Sequence, residues 1–228
     1  MSVKLVVFDI AGTTVKDNHD VSKALSAALQ QYGYDVPVAE IDPIMGYEKN
    51  LAITQLLKRH EPQPEKITPD LIRSIHTAFV QQMIRHYQTS PDIIALPNVE
   101  ETFAKLHQQG ILAGINTGFS RDIAQIIIDR LQWTQRGLID FLVTSDEVEA
   151  GRPEPFMIRK MMEAAGITNA AEVAKVGDTA VDMEEGHNSG CKYVIGVTTG
   201  IYTRAELEKC NPTHIVDDMA TIIDIINS

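Results

Sequence analysis

Asp9 ends a Val-rich apolar run, Thr117 follows the run Leu112–Asn116, and Asp178 follows the run Val173–Gly177. Asp182 lies one helical turn beyond Asp178, so a helix starting there would turn both carboxylates toward one centre. Three carboxylates and a main-chain carbonyl make a hard oxygen donor set, the kind that suits Mg²⁺ together with water and substrate oxygens. Taken singly, each residue has an ordinary reading. An Asp after a strand commonly caps a helix or a turn, Gly12 and Gly177 could mark tight turns, and Arg152 in AGRPEP could be a surface ion-pair partner. The concurrence of acids and hydroxyls at successive strand ends is what points to a site.

The elements that must position these residues follow from the apolar pattern. Lys4–Asp9 reads as a buried strand that opens a parallel sheet covered on both faces. Between Val15 and Ser90 no good buried strand is found, while helices are expected over Val21–Tyr32, around Ile53, Leu56 and Leu57, and along Ile72, Ile75, Phe79 and Met83 after Thr68-Pro69. After Pro91 and Pro97, Asn98 and Glu101 have the spacing of a capping box. Strands Leu112–Asn116, Phe141–Thr144, Val173–Gly177 and Tyr193–Val197 then alternate with helices, and a further strand His214–Val216 and a terminal Ile-rich helix close the chain. The expected fold is α/β, a Rossmann-like parallel sheet flanked by helices, with an all-helical insert after the first strand. Residues 1–15 and 91–228 are expected to form the core and 16–90 the insert.

The chain has 228 residues, 44% of them apolar, and a formal charge of −11. That balance argues against nucleic acid or an anionic membrane as a partner held by bulk charge, while leaving room for one locally held phosphate. Cys191 and Cys210 have no metal-binding spacing, which argues for free thiols and a cytoplasmic setting. The apolar start MSVKLVVFDIAG is too short for a signal peptide or a membrane span.

Three segments carry a resemblance that covers nearly the whole chain. FDIAGTT, INTG and VGDTAVD resemble, in order and spacing, motifs of the haloacid dehalogenase superfamily. The resemblance implies Asp9 as a nucleophile for phosphorus, Thr117 as a phosphate-contacting hydroxyl, and Mg²⁺ held by Asp9, the main chain of Ala11, Asp178 and Asp182. Ala11 stands where most phosphatases of the superfamily carry an acid for the leaving group, and Arg152 replaces the usual Lys. Both features, with Met45-Gly46-Tyr47-Glu48-Lys49, resemble the phosphonatase-like (phosphonoacetaldehyde hydrolase-like) members, which form a Schiff base on the lysine of such a segment. The chain departs from that pattern at Ala52, where a His is usual, at Phe119, where a Tyr is usual, and at His187, where an Arg is common.

The implied chemistry is hydrolysis of the C–P bond of a small 2-oxoalkylphosphonate. A lysine that attacks a carbonyl must be partly neutral, and lowering its pKa from about 10.4 to about 8 takes roughly 3 kcal/mol. Burial beside Arg152 could supply this, and Glu48 would oppose it if its carboxylate pointed inward. The ordinary alternative for Lys49 is a solvated surface lysine. For the protein as a whole the alternatives are a phosphomonoesterase of the phosphoglycolate phosphatase type and a non-catalytic phosphate sensor. The superfamily further implies a homodimer through the insert helices.

Overall fold

The computed structural model describes residues 2–228. In chain order the elements are β1 (Leu5–Phe8), α1 (Asp20–Gln30), α2 (Val38–Ile41), α3 (Lys49–His60), α4 (Pro69–Thr89), α5 (Val99–Gln108), β2 (Leu112–Thr117), α6 (Arg121–Leu131), β3 (Phe141–Thr144), α7 (Phe156–Ala164), β4 (Val173–Gly177), α8 (Ala180–Ser189), β5 (Tyr193–Val197), α9 (Arg204–Glu208), β6 (His214–Val216) and α10 (Ile222–Ile226). The six strands form one sheet in the order β3-β2-β1-β4-β5-β6, and every pairing is parallel. The expected α/β architecture, with helices inserted after the first strand, is the observed one.

Continuous apolar sequence makes the central strands because each is covered on both faces. In β1, Val6 and Phe8 face one packed layer with Phe103, Ile115 and Val176, whereas Leu5 and Val7 face the other with Met157, Ile158 and Met161. The first layer continues without a break into the insert, through Leu25, Ile53, Phe79 and Met83. Helix α4 begins where Thr68 accepts a hydrogen bond from the Leu71 N–H, with Pro69 at its first position, and buries Ile75, Phe79, Met83 and Tyr87 at four-residue steps.

Asn98 does not cap α5 as its spacing with Glu101 predicts. It adopts a left-handed conformation (φ 62°) with no side-chain cap bond, and its amide instead donates to Asp218 at 2.9 Å. The strand expected over Lys4–Asp9 is limited to Leu5–Phe8, so Asp9 lies just beyond it. The short helices α2 and α9 have no counterpart in the sequence reading. The two connections to the insert run side by side: Lys16 N–H donates to the Ile94 carbonyl (3.1 Å) and Leu96 N–H to the Thr14 carbonyl (2.9 Å), with Val15 and Ala95 in an antiparallel bridge. Both cysteines are free. Among the described residues no helix is long and apolar enough to cross a membrane.

Phe103 links the sheet to its helical layer, its ring lying edge-on to Phe8 at 5.1 Å and to Trp133 at 5.2 Å. Phe103→Ala should cost about 3–5 kcal/mol of stability through the cavity it leaves. Denaturant unfolding should show a lower midpoint with an unchanged slope.

Candidate active site

The carboxyl ends of β1, β2 and β4 meet where the strand order reverses around β1, the place where open α/β sheets bind ligands. Asp9 leaves β1 there, its N–H held by the Val176 carbonyl at 3.1 Å and its carbonyl accepting from the Thr14 hydroxyl at 2.8 Å. Thr117 is the last residue of β2 and is buried. Its hydroxyl oxygen accepts from the Phe119 N–H at 3.2 Å. Asp178 follows β4 and accepts from the Thr13 hydroxyl and the Ile201 N–H, each at 2.9 Å.

Asp182 occupies the third position of α8, where one oxygen accepts from the Thr179 N–H (3.2 Å) and hydroxyl (2.6 Å) in a reciprocal cap. Its other oxygen faces two cations, Arg152 and, at 3.0 Å, Lys175. Arg152 spans the site, pairing with Asp182 through one terminal nitrogen and with Asp9 at 2.9 Å through the other. Its Nε–H has no acceptor among the described residues, which leaves a charged donor for an added oxygen.

Beneath these groups is a network that the sequence reading missed. Lys175 in β4 is fully buried and reaches the Asn116 side-chain oxygen at 2.6 Å and Glu185 at 3.2 Å. The Asn116 amide closes the circuit by donating to Glu185 at 2.7 Å. A lysine inside a strand buried on both faces was the available signal, because such a charge must find partners. Glu185, three residues after Asp182, is placed on the same face of α8 to provide one.

Burial would raise the Asp182 pKa, but Arg152 and Lys175 overcome it and hold the group down to about 2. Asp9 is raised, first by burial, with Arg152 working against the rise and Asp182 adding to it. Asp178 is pushed well above the usual carboxylate range by burial and then by the charges of Asp182 and Asp9. Asp9, Asp178 and Asp182 each offer an oxygen within 4.8 Å of the others. Excess negative charge among buried oxygens is the condition that a hard divalent cation relieves, so the donor set fits Mg²⁺.

Lys49 enters from the insert as the first residue of α3 and is buried, 3% exposed. Its ammonium donates to the Tyr47 carbonyl at 3.1 Å and lies 5.7 Å from the centre of the Phe119 ring and 6.0 Å from that of Phe79. Burial, then Arg152, lowers its pKa to about 8, against the raising effect of Asp9 and, more weakly, Glu48 and Asp17. Glu48 caps α3, its carboxylate turned to the Asn50 and Leu51 N–H groups at 2.9 Å. The Met45-Gly46-Tyr47 turn lies against the core so closely that a Cβ on Gly118 would sit 2.7 Å from the Gly46 carbonyl and 2.9 Å from that of Tyr47. Gly46 itself takes φ +88°, which other residues rarely adopt.

One cavity of about 30 Å³ brings together Asp9, Ala11, Lys49, Thr117, Arg152 and Asp178, with Asp17 and Phe119 also in its wall. That space holds about two waters, so the insert packs closely over the core at this point. All the residues expected at the site line this cavity except Asp182, which sits behind Arg152. His187 lies elsewhere, on the exposed face of α8 against the Asn211 carbonyl at 3.0 Å. Ala52 is buried with Ile53 and Leu56 on the packed face of α3.

Residues 6–196 match the family described as haloacid dehalogenase-like hydrolase. The chain belongs to that family. Among its relatives is a phosphonoacetaldehyde hydrolase from Bacillus cereus (strain B4264), 30% identical over 88% of this chain and 77% of that protein. A bifunctional phosphonoacetaldehyde hydrolase/aminoethylphosphonate transaminase from Clostridioides difficile (strain 630) is 32% identical over 82% of this chain. The chain spans only 30% of that longer protein. These relatives make this haloacid dehalogenase-like hydrolase phosphonatase-like in sequence. The fold alone is shared more widely: a structure described as a predicted phosphoglycolate phosphatase from Haemophilus somnus superposes with a TM-score of 0.80 at 22% identity, covering 99% of this chain and 98% of that one.

Removing the Lys175 charge would leave Glu185 with only the neutral Asn116 amide and Asp182 with Arg152 as its one remaining cation. Lys175→Met should therefore cost about 3–5 kcal/mol, more than a change of similar volume between apolar residues. Thermal or denaturant unfolding measures it, and Glu185→Gln in the same chain should recover part of the loss.

Proposed function

We propose that this haloacid dehalogenase-like hydrolase cleaves the C–P bond of a small 2-oxoalkylphosphonate, with Lys49 as the Schiff-base residue and Asp9 as the nucleophile. The observation that carries this reading is the Lys49 amine, buried between aromatic rings in the same cavity as Asp9, where an ordinary surface lysine would be solvated. Residues 16–90 act as the cap that delivers it. Ala11, where an acid would protonate an ester oxygen, belongs with a reaction whose leaving group is carbon.

Condensation of the Lys49 amine with the substrate carbonyl gives an iminium, which can accept the electron pair of the C–P bond as it breaks. Asp9 attacks phosphorus and becomes an aspartyl phosphate that water hydrolyses. Thr117 and the unpaired Nε–H of Arg152 hold phosphoryl oxygens, and the closed cap keeps water from the imine until phosphorus has left. Asp9, Asp178 and the Ala11 carbonyl would hold Mg²⁺, with Asp182 balancing charge from behind. Bound there, the ion would offset charge on the phosphoryl oxygens and favour the ionised, nucleophilic form of Asp9.

Borohydride reduction in the presence of phosphonoacetaldehyde should fix an adduct on Lys49, located by peptide mass analysis. Lys49→Arg keeps the charge but lacks the competent amine, so adduct and phosphate release should both fall to background. Absence of an adduct together with efficient hydrolysis of a phosphate ester would instead favour a phosphomonoesterase. Because the neutral amine is the reactive form, kcat/KM should rise with pH and level off above about 8. At pH 6 only about one Lys49 in a hundred would be neutral. Chelation should abolish turnover, and Mg²⁺ should restore it.

A further inference from the structure

Cleavage of a C–P bond into an iminium leaves an enamine, and the carbon that lost phosphorus must then receive a proton. Ala11 offers none, and the groups already engaged cannot supply it. Asp9 is esterified at that point, Asp178 lies in the cation site, and Arg152 holds its proton more tightly than usual because, against the opposing effect of burial, the charges of its carboxylate neighbours prevail. One other carboxyl lines the cavity, that of Asp17. It sits in the connection between β1 and α1, with Val21 beside it in the wall.

The geometry points to Asp17 as the acid that protonates the enamine carbon. Only its Oδ1 is used by the fold, accepting from the N–H groups of Asp20 (2.9 Å) and Val21 (3.4 Å) at the start of α1. Oδ2 accepts no hydrogen bond from the described residues, so it is free to carry a proton. Asp17 is close enough to Lys49 for its charge to help hold the lysine proton, and burial raises its own pKa. Protonated at Oδ2, Asp17 would serve twice: its charge would no longer hold the Lys49 proton before condensation, and it would carry the proton needed later.

The step balances without a further reactant. As Asp9 bonds to phosphorus, the C–P pair becomes the carbon–carbon π bond of the enamine, and the C=N π pair returns to the Lys49 nitrogen. The enamine π pair takes the Asp17 proton at the carbon that carried phosphorus, which regenerates an iminium and leaves Asp17 as a carboxylate. Water then adds to the iminium carbon and gives its proton to Asp17. Collapse of the carbinolamine releases the aldehyde or ketone and the free amine.

This inference rests on the Schiff-base reading, so wild-type protein is first tested with phosphonoacetaldehyde and borohydride. If no Lys49 adduct forms, that reading fails and the role of Asp17 falls with it. With the adduct established, Asp17→Asn is the test. Asparagine keeps the oxygen that receives the Asp20 and Val21 N–H groups, so the α1 cap persists and the thermal midpoint should stay near wild type. Steady-state turnover should fall about 10²-fold or more. Acid-quenched samples should nevertheless show a rapid burst of about one phosphate per site, because the C–P bond breaks before the missing proton is needed. Asp17→Glu, which retains an acid, should recover part of the turnover. Wild-type turnover in Asp17→Asn would overturn the assignment, and so would slow turnover without the burst, which would place the defect before bond cleavage. A purely structural defect would lower burst and turnover together and would not be rescued selectively by Glu.

Discussion

The structure depends on a buried cluster of opposite charges at the carboxyl edge of the sheet. Arg152 and Lys175 converge on Asp182, and Arg152 continues to Asp9 while Lys175 continues to Glu185. Removing any of these charges from water is costly, and the partners compensate only as a set. The cluster therefore constrains three elements at once: the loop after β1, the start of α8, and the segment that carries Arg152. It also creates the imbalance that the site exploits, since Asp182 is the carboxylate whose charge is fully met while Asp9 and Asp178 are left raised.

Helix α3 separates two neighbouring residues that would otherwise interfere. Lys49 and Glu48 are adjacent in sequence, yet Glu48 is turned to the N–H groups at the helix start while Lys49 points into the aromatic pocket. With Glu48 turned away in this manner, burial and Arg152 dominate the acidity of the amine, and Glu48 opposes them only after Asp9. The Phe119 ring, where the phosphonatase-like pattern has a phenol, contributes apolar surface and its π face rather than a hydroxyl.

Strand ends were legible because a parallel sheet covered on both faces writes itself as short apolar runs, and Asp9, Thr117 and Asp178 stand at their ends. The cap of α4 was legible because Thr68 and Pro69 act locally. What sequence did not reveal depends on partners remote in the chain. Asn98 carries the local signature of a cap, but Asp218, 120 positions away, takes its amide. Asn116 and Lys175 look like interruptions of strands until the third member, Glu185, is seen between them. Asp17 looks like one polar residue among several before α1, and only the closure of the insert gives it a place in the cavity wall.

The paired connections at Val15 and Ala95 give the molecule a separable construction. Because the insert leaves and rejoins the sheet at adjacent points, the whole of it is a loop on β1 in topological terms, and its replacement by another segment would leave every strand pairing intact. Under the proposed chemistry, the phosphorus-handling groups belong to the sheet and the carbon-handling amine to that loop. A scaffold built in this way can acquire a new class of bond to break by exchanging one contiguous stretch of chain, without rebuilding the electrostatics beneath it.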